Sequence, residues 1–151
     1  MVVKCSDDTG AEFRMGKFGV KWKIVKIKIG DIDRKLSWNN HARMSCPRSQ
    51  EIIDRQIEDK KDGAIFPRIV VFELSSGFVL PDGKKLAQGF RYTIAGGNHR
   101  VDSDIELGVT EEEAHVVSTD NLEVIDILPR ILHLDHGRSE PRDEVIAAAL
   151  H

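Results

Sequence analysis

The chain has 151 residues, of which 40% are hydrophobic and 31% are charged, and its formal net charge is -3 at pH 7. This balance is typical of one globular domain, and it excludes a fibrous chain and argues against a generally basic nucleic-acid binder. The two cysteines are too few for a disulfide framework, and the apolar runs fall far short of the roughly 20 residues that cross a bilayer, so we expect a cytoplasmic protein with free thiols and no membrane partner.

The N-terminal part of the chain predicts one clear strand. Residues 1–20 are polar and interrupted by glycines, and we expect an N-terminal extension that is mostly loop with one short strand. The segment "KWKIVKIKI", Lys21–Ile29, alternates as a strand does, but its phase slips between Ile24 and Val25, which predicts a bulge. Its lysines would form an exposed row that protects an edge strand, and its inward residues would be Trp22, Ile24, Ile27 and Ile29.

A loop, a helix and a buried strand are predicted next. The loop, Asp31–Pro47, is rich in turn-forming residues. Ser45 would cap the helix, which has an apolar face and ends at Gly63. The segment "FPRIVVFEL" has a short, branched apolar run that predicts a strand buried on both faces.

The second half of the chain continues the alternation of strands and helices. The sequence predicts strand pieces around residues 78–80 and 90–95, a helix from Asn98 to Leu107, and a strand at "AHVVS". Thr119 would cap the next helix, which Pro129 would break or kink. A last helix would begin at residues 139–141 and carry an apolar stripe with little helix left, so we expect the chain to be the first part of a longer protein.

The segment "YTIAGGNHR" places a strand, two glycines and a helix start in succession. A helix N-terminus presents several backbone N–H groups in one direction, with the positive end of the helix dipole behind them, and an anion binds well there. Gly96 and Gly97 allow a close approach to the main chain, while Arg100 offers a planar fork for phosphate oxygens and His99 one more hydrogen bond.

Two other groups of residues suggest metal chemistry. "HLDH" places His133, Asp135 and His136 within four positions, and these side chains can bind a metal, although solvated loop histidines are the simpler interpretation. The carboxylates of Asp102, Asp104 and Glu106 suggest a magnesium-dependent nuclease, against the simpler interpretation that they form a solubilising helix face. The run "EEE" at 111–113 is expected to be a solvated turn.

Read together, "SQEIIDRQIEDKKDGAIFPRIVV", "YTIAGGNHRVDSDIELG", "AHVVSTD" and "ILHLDHGRSEP" resemble the ParB and sulfiredoxin-like superfamily over roughly residues 24–150. In that family, a helix ends on a glycine shortly before a proline-led strand, as Gly63 and Pro67 do here. The following strand leads to a phosphate loop and a helix that ends near another glycine, like Gly108. The resemblance implies an α+β fold, a small mixed β-sheet flanked by helices.

The resemblance also assigns roles to individual residues. Gly97 takes the position of the loop glycine and Arg100 that of the loop arginine, and Arg43 could reach the same phosphates. His99 matches the sulfiredoxin and free-serine-kinase versions of the loop, whereas ParB proteins carry two adjacent arginines. Asn98 stands where sulfiredoxins have their catalytic cysteine, and an amide cannot act as that nucleophile, so sulfiredoxin activity is not expected.

The function that the resemblance implies is a nucleotide-binding domain at residues 21–138, followed by the start of a helical segment at 139–151. CTP or ATP would bind at Gly96, Gly97, Asn98, His99 and Arg100 with Mg²⁺. Nucleotide would close a homodimer, slow hydrolysis would open it, and DNA would bind through a C-terminal region. The alternatives are a metal-dependent nuclease or phosphotransferase that uses the same phosphate loop, and a non-catalytic binding module.

Overall fold

The structure is a computed structural model that describes residues 2–3, 5, 9–36, 50–75, 77–80 and 83–135. These residues form an α+β arrangement of one mixed sheet and four α-helices, as the sequence predicts at this level. In chain order the elements are β1 (Val2–Val3), α1 (Thr9–Lys17), β2 (Lys23–Lys28), a 3-10 turn (Ile29–Asp31), α2 (Gln50–Lys61), β3 (Ile69–Glu73), β4 (Tyr92–Gly96), α3 (Asn98–Glu106), β5 (Glu111–Ser118) and α4 (Leu122–Asp135).

Strand β5 is the centre of the sheet. It pairs antiparallel with β2 and parallel with β3, and β1 pairs parallel with its first residues. Strand β3 in turn pairs antiparallel with β4, and an isolated bridge joins Ile32 to Tyr92 of β4. The chain after β2 therefore reaches β4, and the turn that follows β4 starts α3.

Each face of the sheet has its own apolar cluster, as the buried run in β3 predicts. Val70 and Phe72 of β3 point to the face covered by α1 and α4, and Ile69 and Val71 point to the opposite face, where α3 lies. Helix α2 packs on α3. The prediction that β3 is buried on both faces is confirmed.

The N-terminal residues differ from the expectation of a loop, because they contain α1. Two glycines give the segment a weak intrinsic helix preference, and the sequence alone therefore does not indicate a helix. Ala11 and Met15 are fully buried against α4, so tertiary packing stabilises this short helix.

The prediction of a bulge in β2 is wrong. Lys23 to Lys28 pair with Val116 to Glu111 in continuous register. Because the strand is regular, Ile24 is 47% exposed rather than inward, while Ile27 and Ile29 are buried as expected.

Several predicted boundaries shift. Helix α2 is closed by Gly63, which has a φ of 95°, as expected, whereas its predicted cap Ser45 lies outside the described residues. Residues 78–80 form an isolated bridge between Val79 and Lys85 rather than a strand.

Helix α4 differs from the prediction at its start and at its proline. The carboxamide oxygen of Asn121, and not Thr119, accepts the first-turn N–H groups of α4. The helix continues through Pro129 instead of breaking there. The predicted helix at 139–151 lies outside the described residues.

None of the described helices combines the length and the apolar character that a membrane crossing requires.

Candidate functional site

The turn between β4 and α3 is built around Gly97. Its φ is 111°, in the left-handed region, and a Cβ at this position would lie 2.7 Å from Cγ2 of Ile69. Both the backbone angle and the space therefore require glycine. The Gly97 carbonyl accepts the N–H of Val101 at 2.9 Å, so the helix begins immediately. Since glycine has no side chain, it cannot supply the usual N-cap oxygen.

The first turn of α3 carries three polar residues that are all buried. Asn98, His99 and Arg100 are 2%, 4% and 5% exposed, respectively. The structure thus brings the predicted phosphate residues from Gly96 to Arg100 together in one continuous buried turn. Polar side chains with so little exposure have hydrogen-bond or charge partners in folded proteins, and each of these three has such partners.

The guanidinium of Arg100 faces the entrance to β3. Its Nη1 donates hydrogen bonds to the carbonyl oxygens of Pro67, at 2.5 Å, and Arg68, at 2.9 Å. The sequence pattern predicts this side chain as a phosphate ligand, but the bonds that the structure shows connect the first turn of α3 to the segment before β3. In this conformation, Arg100 holds the turn in place.

A second guanidinium lies beside α3 that sequence analysis does not identify. Arg34, in the loop after the 3-10 turn, forms an ion pair with Asp102 of α3 through its Nη2. Its Nε is buried and has no hydrogen-bond partner within the described part of the chain. The carboxylate of Asp33 accepts the backbone N–H groups of Lys35, Leu36 and Ala87 and fixes the loop that carries Arg34.

Lys60, near the end of α2, joins α2 to α3. Its ammonium donates to the carbonyl oxygen of Arg100 at 3.2 Å, to Oγ of Ser103 at 2.6 Å and to Oδ1 of Asp104 at 2.6 Å. An ammonium group has three N–H donors, and this geometry provides an acceptor for each. The side chain also lies over the ring of Phe66, 5.2 Å from its centroid.

Glu112 of β5 completes a buried charged cluster, which we call the α2–α3–β5 junction and define as Lys60, Ser103, Asp104 and Glu112. Glu112 is 3% exposed, and it lines the same small cavity as Asp104. Burial raises the pKa of Glu112 to about 9, and the hydrogen bond to Asp104 and the charge of Asp104 act in the same direction. Its other oxygen, Oε1, is buried without a partner in the described residues.

A small cavity of about 20 Å³ lies beside the junction and has room for one water molecule. It is lined by Cys5, Lys60, Ala64, Phe66, Pro67, Arg100, Asp104 and Glu112. Burial, with the charge of Glu112 as the next cause, raises the pKa of the Cys5 thiol to about 11, so this thiol is protonated at neutral pH and is a poor nucleophile.

Two expectations about acidic residues are wrong. Asp102 and Asp104 do not form a solubilising face, since Asp102 pairs with Arg34 and Asp104 is buried against Lys60. The run 111–113 is not a solvated turn but the start of β5. The sequence does contain a signal that Asp104 and Glu112 face the core. Asp104 lies three positions after the buried Val101 on a helix, and Glu112 lies two positions before the buried Ala114 on a strand.

Most of the remaining predicted site residues lie beyond the described parts of the chain. Arg43 and His136 are outside them, and His133 and Asp135 belong to the last turn of α4, where the side chains are not described. Among the described residues, no three His, Cys, Asp or Glu side chains come together as a metal site would require. His115 is on the opposite face of the sheet, where its Nε2 contacts Oε1 of Glu12 at 3.0 Å.

A comparison with known proteins gives no family: neither a protein-family model nor a curated protein matches the chain.

Proposed function

We propose that the chain contains a nucleotide-binding domain of the ParB type, in which the first turn of α3 binds the phosphates of CTP or ATP with Mg²⁺. The observation that carries this proposal is the left-handed Gly97 at the start of a nine-residue helix. A helix that begins at glycine has no N-cap side chain, and a phosphate group can accept the N–H bonds that such a side chain would otherwise accept.

The order and pairing of the elements support the ParB-like interpretation. The segment from α2 to α4 runs helix, strand, strand, helix, strand, helix. Strands β3 and β4 are antiparallel neighbours, and β5 returns parallel to β3 on its other side. This arrangement places the Gly97 turn directly after β4, whose residues are all buried, and rigid surroundings of this kind can hold backbone N–H groups in position.

The positive charge near the turn also supports an anionic ligand. Arg34 lies beside α3 through its bond to Asp102, and Arg100 belongs to the first turn itself. A guanidinium can bind phosphate oxygens through two parallel N–H bonds. We infer that Arg34, whose Nε has no partner in the described part of the chain, is the first of these side chains to contact a phosphate.

In this proposal, nucleotide binding closes a homodimer in a DNA-associated protein, DNA binds through a C-terminal region, and slow hydrolysis reopens the dimer. Light scattering with and without CTP and Mg²⁺ measures the first of these steps. The dimer fraction is expected to rise with nucleotide.

Isothermal titration with CTP, ATP, GTP and UTP in the presence of Mg²⁺ tests the binding step. At least one nucleotide is expected to release or absorb heat with a single-site isotherm. Arg34→Gln removes a charged donor, and we expect it to weaken binding about tenfold or more, since a hydrogen bond to a charged group contributes about 1.5–3 kcal/mol. Arg130→Gln is the matched control, because Arg130 also pairs with an aspartate but lies on α4.

Arg100→Ala is a poorer test of contact with phosphate, because it also removes the two hydrogen bonds to the carbonyls before β3. Its binding isotherm must be read together with its free energy of unfolding. Absence of heat with every nucleotide in the folded wild-type protein contradicts the proposed function.

A further inference from the structure

The contacts that hold the start of α3 come from one stretch of the chain, the second half of α2 and the segment that leads into β3. Gln56 and Lys60 are one helical turn apart on α2, and both contact Ser103 of α3. The Lys60 ammonium donates to the Ser103 hydroxyl at 2.6 Å, and that hydroxyl lies 3.4 Å from the carboxamide oxygen of Gln56. The two carbonyl groups that accept the Arg100 guanidinium lie just before β3. Residues 56–68 therefore set the position of the helix start.

Within this stretch, Lys60 contacts the main chain of α3. Its ammonium lies 3.2 Å from the carbonyl oxygen of Arg100, which belongs to the first turn after Gly97. The Ser103 hydroxyl donates to the same carbonyl at 2.9 Å. Hydrogen bonds from a charged donor are stronger than those between neutral groups. A displacement of Lys60 would therefore move a backbone atom of the turn and not only a side chain.

The Lys60 side chain is itself held in place. It is 10% exposed, its ammonium forms an ion pair with Asp104 at 2.6 Å, and it lies over the ring of Phe66. A buried ion pair stabilises a fold little more than apolar residues of similar size would. Stability alone therefore gives no reason for a lysine at this position, whereas its bond to the turn of α3 does.

We propose that Lys60 is a positioning residue for the anion-binding turn: it holds the first turn of α3 in the orientation in which the N–H groups after Gly97 bind a phosphate group. This inference rests on the proposed function, because it takes that turn as the phosphate site. Lys60 acts through the Arg100 carbonyl and does not contact the ligand. Its charge is balanced by Asp104, so its effect on binding comes from geometry. A binding site needs such a supporting contact to hold its donors in the productive orientation.

Isothermal titration of CTP, ATP, GTP and UTP with Mg²⁺ tests the proposal in Lys60→Met and Asp104→Asn. Both variants remove the ion pair, but only Lys60→Met removes the donor to the Arg100 carbonyl. We expect the affinity of folded Lys60→Met to fall about tenfold, as the loss of a charge-assisted hydrogen bond predicts. The affinity of folded Asp104→Asn should equal that of the wild type. Wild-type affinity in Lys60→Met overturns the proposal, and so does equal weakening in both variants, which would assign the effect to the ion pair.

Hydrogen exchange reports on the turn without a ligand, so it separates a failure of this inference from a failure of the proposed function. The Val101 N–H donates to the Gly97 carbonyl at 2.9 Å, while the Leu107 N–H, at the other end of the helix, donates to the Ser103 carbonyl at 3.1 Å. In Lys60→Met we expect the protection of Val101 relative to Leu107 to fall about tenfold, whereas a general loss of stability would lower both equally. An unchanged ratio overturns the proposal. A lowered ratio in a protein whose wild type binds no nucleotide contradicts the proposed function alone.

A second variant decides the question if Lys60→Met does not fold. Lys60→Met/Asp104→Leu removes both buried charges together, and folded proteins tolerate such a replacement. We expect from it the same loss, about tenfold, in affinity and in the relative protection of Val101. Wild-type values in this variant overturn the proposal.

Discussion

The two faces of the sheet are filled in different ways. The face under α1 and α4 holds aliphatic and aromatic side chains around Phe72, with His115 as a buried polar residue among them. The face under α2 and α3 has an apolar centre but is joined to α2 through the ion pair of Lys60 with Asp104, beside the buried Glu112. Apolar packing tolerates small changes of composition, whereas a buried charge needs each of its partners. We therefore expect the packing around Phe72 to supply stability that does not vary with pH, whereas the raised pKa of Glu112 makes the contribution of the second face fall as the pH rises.

The largest effect is expected at the centre of the first face. Phe72→Ala removes a fully buried ring and leaves a cavity, and we expect the free energy of unfolding to fall by about 4 kcal/mol. Because no charge is involved, the loss should be the same at pH 6 and pH 8 in urea unfolding monitored by circular dichroism. A loss that changes with pH would contradict the proposed difference between the faces.

A slightly smaller effect is expected from Lys60→Met on the second face. This change leaves Asp104 buried without its cation, and we expect a loss of about 3 kcal/mol in the free energy of unfolding. Lys61→Met, the exposed neighbour on α2, is the control and should change the unfolding free energy by less than about 0.5 kcal/mol. Equal losses in the two variants would show that the junction does not stabilise the fold.

The smallest effect is expected at the polar residue of the apolar face. His115 is 0% exposed, and its Nδ1 has no partner in the described residues, so His115→Leu removes an unsatisfied polar atom. It also removes the contact to Glu12, which is partly exposed and can be hydrated instead. We expect the unfolding free energy to stay within about 1 kcal/mol of the wild type. A loss of several kcal/mol would show that this face also depends on a polar contact.

The same contrast explains what the sequence could predict. Strand β3 is found from its short apolar run, and α3 from the glycines at both of its ends, because these signals are local. The polar contacts on the other face are not local. Lys60 and Asp104 are 44 residues apart in the chain, and a charged residue is normally expected to be exposed.

The candidate site was predicted in part for a similar reason. The Gly97 turn follows from the sequence pattern, since a glycine between a strand and a helix predicts a positive φ. The direction of the Arg100 side chain does not, because it depends on carbonyl groups before β3 that the fold brings near. Arg34 was missed since nothing in "DIDRKL" indicates that it will meet a helix much later in the chain. Helix α1 was missed because its formation depends on α4.

The pairing of the sheet has a consequence for how the protein is made. Val2 pairs with Glu111 and Lys23 pairs with Val116, so neither β1 nor β2 can pair until β5, much later in the chain, has been made. Contacts between such distant segments form slowly, and a ribosome delivers the N-terminal residues first. A nascent chain that has not yet reached β5 therefore exposes the unpaired backbone of β2 to the cell. The lysines along that strand protect it from premature association until its partner is synthesised.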